Sequence, residues 1–237
     1  MVENSKIEWT DHTFSPWVGC TKVSPACDNC YAEERAKRYG QVIWGNNPRN
    51  RTSPAYWVKP MKWHRAALKT GKRVRVFCAS LSDVFDNRAP AEWREDLWAV
   101  IRSTWMLDWM LLTKRPQNIR EMTKSLEIWS NVWIGTTIEN QDELNRRLPF
   151  LLETSPAIRF LSCEPLLGPL EFRPDDLSRV GLVIAGGESG GKARETDIEW
   201  FRSLRDQCTA AGVPYFHKQM TKKALIPDEF MIRQWPT

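Results

Sequence analysis

Apolar residues gather in short, nearly continuous runs that end in polar residues, and stretches of helical periodicity follow them. The runs are RVRVFCASLSDVF from Arg73, WMLLTKRP from Trp109, VWIGTTIENQ from Val132, IRFLSCEPLLG from Ile158, LVIAGGESGG from Leu182 and YFHKQM from Tyr215. Near-continuous apolarity suits parallel strands whose sheet is covered on both faces. Between them, PAEWREDLWAVIRSTW sets Trp93, Leu97, Ile101 and Trp105 four apart, one helical stripe. TDIEWFRSLRDQCTAAG predicts a helix capped by Thr196, burying Ile198, Phe201, Leu204 and Cys208 and stopping at Gly212. With a first strand in HTFSPWV there are six to seven strands in α/β alternation. The expected fold is a parallel (β/α) barrel, partial or complete.

A chain of 237 residues fits one such barrel, which commonly runs to about 250 residues, so residues 1–237 are expected to form a single domain. Residues 41–72 break the rhythm. WGNNPRNR is turn chemistry, and Pro60 should kink or divide the helix suggested by SPAYWVKPMKWHRAALKTG. This stretch is expected to be an insertion between the first two strands, basic on its outer surface. Apolar residues at 42 % and charged residues at 27 % describe an ordinary globular composition. The opening MVENSKIEWTDH lacks the pattern of a signal peptide, and there is no lipid-spanning run, which points to a cytoplasmic protein and no membrane partner. A reducing compartment disfavours disulfides among the six cysteines and favours metal-binding or catalytic thiols. The net charge of +5 mildly favours phosphate-bearing ligands. Most of the 13 Trp residues are expected in the core.

In parallel barrels the chemistry lies at the carboxyl ends of the strands. Here those ends carry Ser80/Ser82/Asp83, Thr113/Lys114/Arg115, Thr137/Glu139/Asn140, Cys163/Glu164, Gly187/Glu188/Ser189 and His217/Lys218/Gln219. Together they make a polar mouth suited to a ligand. GGESGG lets the backbone approach a ligand closely, and Glu188 can accept from an ammonium or hydroxyl group. The chain has neither a G-x-G-x-x-G fingerprint nor a Walker ending, which demotes dinucleotide and P-loop readings.

Cys20, Cys27 and Cys30 form a C-x6-C-x2-C pattern. The C-x2-C pair can converge on one metal centre, and VSPA can fold the third thiol back. Three readings are open. A structural zinc needs a fourth ligand, with His12, Cys78 or Cys163 as candidates. An iron-sulfur cluster on three thiolates leaves one iron open. Plain thiols are the third.

CDNCYAEERA, after the first strand, resembles the signature of radical S-adenosylmethionine (SAM) enzymes, although their first two cysteines are more usually three residues apart. CYA is similar to the spore photoproduct lyase branch. IEWTDHTFSPWVGCTKVSPACDNCYAE, SLSDVF, LTKRPQNI, SCEPLLGPL, VIAGGESG and FHKQ resemble, in this order, an uncharacterised bacterial and bacteriophage family grouped with radical SAM proteins. The resemblance implies a radical SAM-type barrel, a 4Fe-4S cluster on Cys20, Cys27 and Cys30, and SAM chelating the fourth iron. It also implies SAM cleavage to a 5'-deoxyadenosyl radical, and a one-electron donor such as a flavodoxin or ferredoxin. On that chemistry, Gly186, Gly187 and Glu188 are candidates for the methionine end of SAM, and Ser80, Asp83, Glu139 and Glu164 for its other contacts. Lys114, Arg115, His217 and Lys218 are candidates for an anionic substrate. A nucleotide or nucleic acid is the first choice, with Trp44 and Trp57 able to stack on bases. No catalytic hydrogen donor is assigned, though Cys78, Cys163 and Tyr31 are chemically eligible. The alternative is a non-catalytic nucleic-acid-binding or scaffold protein whose zinc or iron-sulfur site is structural.

Overall fold

The computed structural model describes residues 5–123 and 130–237. Among the described residues nine strands form: β1 His12–Phe14, β2 Trp17–Val18, β3 Asn50–Arg51, β4 Val74–Cys78, β5 Leu107–Thr113, β6 Val132–Thr137, β7 Ile158–Cys163, β8 Leu182–Gly186 and β9 Tyr215–Gln219. The helices are α1 Tyr31–Arg38, α2 Pro54–Trp57, α3 Lys59–Thr70, α4 Ala91–Ser103, α5 Ile119–Met122, α6 Gln141–Leu152, α7 Pro174–Leu177 and α8 Ile198–Ala210. Seven strands pair in parallel in the order β1-β4-β5-β6-β7-β8-β9 and curl into a half-barrel, the partial form of the expected architecture. Sequential order follows when each crossover is right-handed and lands beside the strand it left. Among the described residues no helix is long and apolar enough to cross a membrane.

Alternation along each strand sorts the side chains into two cores. Val76, Cys78, Trp109, Leu111, Ile134, Leu161, Cys163, Val183 and Tyr215 pack with helix residues such as Leu97, Ile101, Leu148, Leu204 and Cys208. Their neighbours Phe77, Met110, Trp133, Phe160, Ile184 and Phe216 form the other cluster with Trp9. Successive strand residues point to opposite faces, so this second set fills the concave side. Gly135 belongs to it by parity: a Cβ there would come within 2.5 Å of the Phe160 ring. The floor of the half-barrel therefore requires a missing side chain at that position.

The edge at β9 is covered by residues 232–234. His217 N-H donates to Ile232 O at 3.0 Å, and Gln234 N-H to Tyr215 O at 3.1 Å. Covering these groups removes an otherwise open pairing edge. Arg233 pairs with Glu8 at 2.9 Å, and the Arg75 guanidinium lies 3.7 Å from the Trp235 ring centre, joining this segment to the residues before β1 and to β4.

Helix limits differ in detail from the pattern. α4 ends at Ser103, so Trp105 lies beyond it and is 56 % exposed, while Arg94 and Trp98 are buried. Arg94 turns inward because its guanidinium donates to Val84 O and Asp86 O at 2.9 and 3.1 Å. Asp197, not Thr196, caps α8 by accepting from Glu199 N; the Thr196 hydroxyl instead donates to Leu166 O at 2.8 Å. In residues 41–72 the helical stretch divides at Val58, with Pro60 in the first turn of α3, where its missing N-H costs nothing.

Replacing Gly135 by Ala is expected to cost about 1–3 kcal/mol of unfolding free energy through overpacking against Phe160. Urea denaturation checks this. The double variant G135A/F160L should recover part of the loss, and strict additivity would show that the contact is not the cause.

Candidate functional site

The cysteine segment begins with a glycine that nothing else could replace. Gly19 has φ of 112°, and a Cβ on it would meet Ile43 O at 2.4 Å. Its N-H donates to Leu81 O at 3.1 Å, which ties the segment to the chain leaving β4. A single 3-10 turn over Pro25–Cys27 follows, and Cys30 occupies the N-cap position of α1. All three cysteines line one cavity of about 440 Å³ beside the carboxyl ends of the strands.

Three carboxylates hold this segment in place. Asp83 pairs with Arg115 at 2.9 Å, and Arg115 donates to Thr21 O at 2.8 Å and to Cys20 Sγ at 3.6 Å. Glu139, fully buried, accepts from Ala26 N-H at 3.2 Å and pairs with Arg147 at 2.7 Å. Glu188 accepts from Asn29 Nδ2 at 2.9 Å and pairs with Arg194, which donates to Pro25 O at 2.8 Å and reaches Asp28 at 3.3 Å. The start, middle and end of the segment thus each have their own ionic anchor.

Of the sequence-derived candidates, Ser80, Asp83, Lys114, Arg115, Glu164, Gly187, Glu188 and Lys218 line the cavity with the cysteines. Glu164 and Lys218 pair with each other across it. Gly186, Glu139 and His217 are absent from the lining. A Cβ on Gly186 would lie 3.3 Å from Gln219 Cγ, and Glu139 lies behind the cysteine segment with Arg147. His217 is fully buried between Phe201 and Phe230, with Nδ1 3.1 Å from Tyr215 Oη and Nε2 3.2 Å from Met220 Sδ. Of the possible fourth ligands, Cys78 and Cys163 are buried in the helix-side core, and His12 stacks on Trp63 at 4.3 Å. Trp44 lines the cavity, whereas Trp57 packs edge-on against Phe14 at 5.6 Å and under Arg51 at 4.5 Å.

Sequence reasoning missed Arg147, Arg194 and Asn29, which hold the segment, and Trp9, which lines the cavity; Thr137, expected at the rim, lines it too. Thr137 Oγ1 and Trp9 Nε1 are buried without a hydrogen-bond partner. Strand parity accounts for the place of Thr137, since it shares a face with Trp133 and Gly135. No local signal marks the two arginines.

Burial, with Asp83 nearby, pushes the Cys20 thiol up to about 11 against the pull of Arg115. It is therefore no activated nucleophile, and a bound cation is what would favour its thiolate. Burial alone would raise the Glu188 carboxyl, but the hydrogen bonds from Arg194 and Asn29 outweigh it and hold the group below the ordinary carboxylate range. Among the described residues no three His, Cys, Asp or Glu side chains are grouped to hold a single metal ion. Zinc-thiolate bonds of about 2.3 Å would demand such a tight grouping.

A family profile described as "Protein of unknown function (DUF5131)" matches residues 4–228. No curated protein matches the chain. Among solved structures, spore photoproduct lyase complexed with dinucleoside spore photoproduct has a TM-score of 0.59 at 11 % identity, covering 92 % of this chain and 78 % of that one. A double mutant of that lyase with bound AdoMet and dinucleoside spore photoproduct has a TM-score of 0.52 at 12 % identity, covering 95 % and 65 %. At these identities the likeness establishes the fold.

Arg147→Met leaves the Glu139 carboxylate buried without its counter-charge, and a loss of about 3–5 kcal/mol in urea denaturation is expected. Adding Glu139→Gln should return much of it. His217 gives a pH signature. Burial, reinforced by Arg233, holds its imidazole down at about 4, against about 6.5 in the unfolded chain. The unfolded chain takes up this proton first, so stability is whole above about pH 6.5 and falls by about 1.4 kcal/mol per unit towards pH 4. His217→Gln should flatten that decline relative to the parent in urea titrations across the window; an unchanged slope would assign it to other groups.

Proposed function

The chain belongs to the DUF5131 family, and we propose that it is a radical SAM-type enzyme acting on a nucleotide-class substrate. The observation that carries this reading is the convergence of Cys20, Cys27 and Cys30 on one cavity of a half-barrel. Three thiols in one cavity lining match in number a cluster that leaves one iron open, while among the described residues no three ligands are grouped for a single ion. The orphaned Thr137 Oγ1 and Trp9 Nε1 add polar atoms that a ligand would satisfy. When bound, the cluster and SAM would supply reductive formation of a 5'-deoxyadenosyl radical for hydrogen abstraction, with the electron coming from a flavodoxin- or ferredoxin-like donor.

The chain's own residues have three tasks on this reading. Cys20, Cys27 and Cys30 hold the cluster, and Arg115 donates an N-H to the Cys20 sulfur, a contact of the kind that tunes cluster potential. Ser80, Glu164, Gly187 and Glu188 border the space for SAM, while Asp83 and Glu139 act by positioning the cysteine segment. Lys114 faces the substrate side, and Lys218 holds Glu164. Trp9, Phe77 and Leu112 supply an apolar floor that keeps water from the reacting groups. The nucleotide-class substrate is supported by the ligands of the lyase structures that share the fold. A closed structural zinc finds no support, because Cys78, Cys163 and His12 all lie outside the cavity lining.

Anaerobic reconstitution should give about four irons and four sulfides per chain, the content of one cubane, and a reduced-state EPR signal that SAM alters. Cys30→Ala should lose the signal. Stoichiometric zinc, or a cluster whose spectrum ignores SAM, would overturn the radical reading.

A further inference from the structure

The charges around the cavity do not balance. Its lining includes the cationic Lys6, Lys22, Lys114, Arg115, Lys218 and Lys223 and the anionic Asp83, Glu164 and Glu188. Every one of those carboxylates is already matched: Asp83 by Arg115, Glu164 by Lys218 and Glu188 by Arg194. Lys22 has its own partner in Glu33 at 3.2 Å. Lys6, Lys114 and Lys223 are left without a counter-charge among the described residues. A concave site that keeps unpaired ammonium groups after its own acids are neutralised is complementary to an anion.

The arrangement of these lysines bears on which anion. Lys6 precedes β1, Lys114 directly follows β5, and Lys223 follows β9 at the far edge of the sheet. From β5 to β9 there are four strand spacings, roughly 19 Å measured along the sheet. An ammonium is a point charge suited to one phosphate, and these three stand on separate elements. Charges distributed around a mouth suit a backbone carrying several phosphates. Aromatic faces accompany them: half-buried Trp44 and Tyr31, 52 % exposed, line the same cavity. Tracking cations with open aromatic rings make a platform for unpaired bases. A base inside a duplex could not reach the interior of the cavity, which Trp9 and Thr137 line.

The geometry points to a single-stranded nucleic-acid chain as the ligand of this mouth, with Lys6, Lys114 and Lys223 on separate phosphates and Trp44 against a base. This rests on the enzymatic reading above for what happens to the strand, and not for its binding.

The test is fluorescence anisotropy with a fluorescein-labelled mixed-sequence DNA octanucleotide, titrated with the full chain at 50–200 mM salt (about a fourfold range, chosen for its effect on phosphate contacts). Three phosphate contacts should give a slope of log K on log salt of about −2, each contributing about 0.7. Lys6→Gln, Lys114→Gln and Lys223→Gln should each flatten the slope by about 0.7, and the triple variant should bring it near zero. Trp44→Ala should weaken binding roughly tenfold with the slope unchanged, and Lys69→Gln, outside the cavity, should change neither quantity. The same sequence as a duplex should bind at least about tenfold more weakly, and a nucleoside monophosphate should compete poorly. Absence of binding at the lowest salt, a slope indifferent to the triple variant, or equal affinity for duplex would each overturn the proposal. Repeating the titration with Cys30→Ala separates the two readings. Binding retained without a cluster supports the strand site whatever the iron analysis gives. Failure to bind by a chain with an intact SAM-responsive cluster sinks the strand site alone.

Discussion

Three carboxylate-guanidinium pairs, two of them buried and the third with its Arg194 half-exposed, hold the cysteine segment to the sheet, and they shape the cavity. Apolar burial could not do this work: in the 3-10 turn only Ala26 and Cys27 are buried, and the rest is polar or half-exposed. What fixes such a segment is the satisfaction of its backbone groups. Thr21 O, Ala26 N-H and Pro25 O each meet a charged partner supplied from beyond β5, β6 or β8. Hydrogen bonds to ionised groups are about twice as strong as neutral ones. Removing the charges from water is costly, and the backbone bonds help to offset that cost. The consequence is a division of labour at the strand ends: Asp83 and Glu139 position the segment, Glu188 both anchors it and borders the cavity, and other residues are left to face a ligand.

The fold was largely legible because parallel strands covered on both faces must be apolar almost throughout, which leaves runs visible in one sequence. Where the reading lost resolution was at the last residues of each run. Cys163 and Glu164 stand side by side at one strand end, as do His217 and Lys218 at another. Continuing the two-residue period to the strand ends separates them, with Glu164 and Lys218 on the cavity and Cys163 and His217 among the helices. Adjacent polar residues look equivalent in a string but point in opposite directions on a strand. Helix ends were less legible for a similar reason. Thr196 and Asp197 are both good caps by type, and a tertiary contact, the Thr196 bond to Leu166 O, decides between them.

The anchoring arginines were not legible at all. Arg147 stands in QDELNRRLPF, where charged residues ordinarily make a solvated helix face, yet its guanidinium is 1 % exposed and reaches both Thr137 O and Glu139. Arg194 follows a glycine-rich stretch that admits many paths, so its return to Glu188 and Pro25 depends on the folded loop. Residue type and spacing constrain partners within an element. They say little about partners separated by 121 positions, as Ala26 and Arg147 are through Glu139.

The stretch before α2 shows how far this dependence extends. Arg49, with its side chain wholly buried, pairs with Asp86 at 2.7 Å and donates to Thr21 Oγ1 at 2.7 Å. Gly45 N-H donates to Cys20 O at 2.9 Å, and Thr21 Oγ1 donates to Gly45 O at 2.8 Å. The turn that brings Trp44 to the cavity is therefore bonded to the first cysteine and to the residue after it. A rearrangement of residues 43–49 would disturb the Cys20 end of the site even though none of these residues carries a thiol. The segment read from sequence as an interruption of the barrel thus forms one wall of the site, and a ligand resting on Trp44 would press on the same hydrogen bonds that place Cys20.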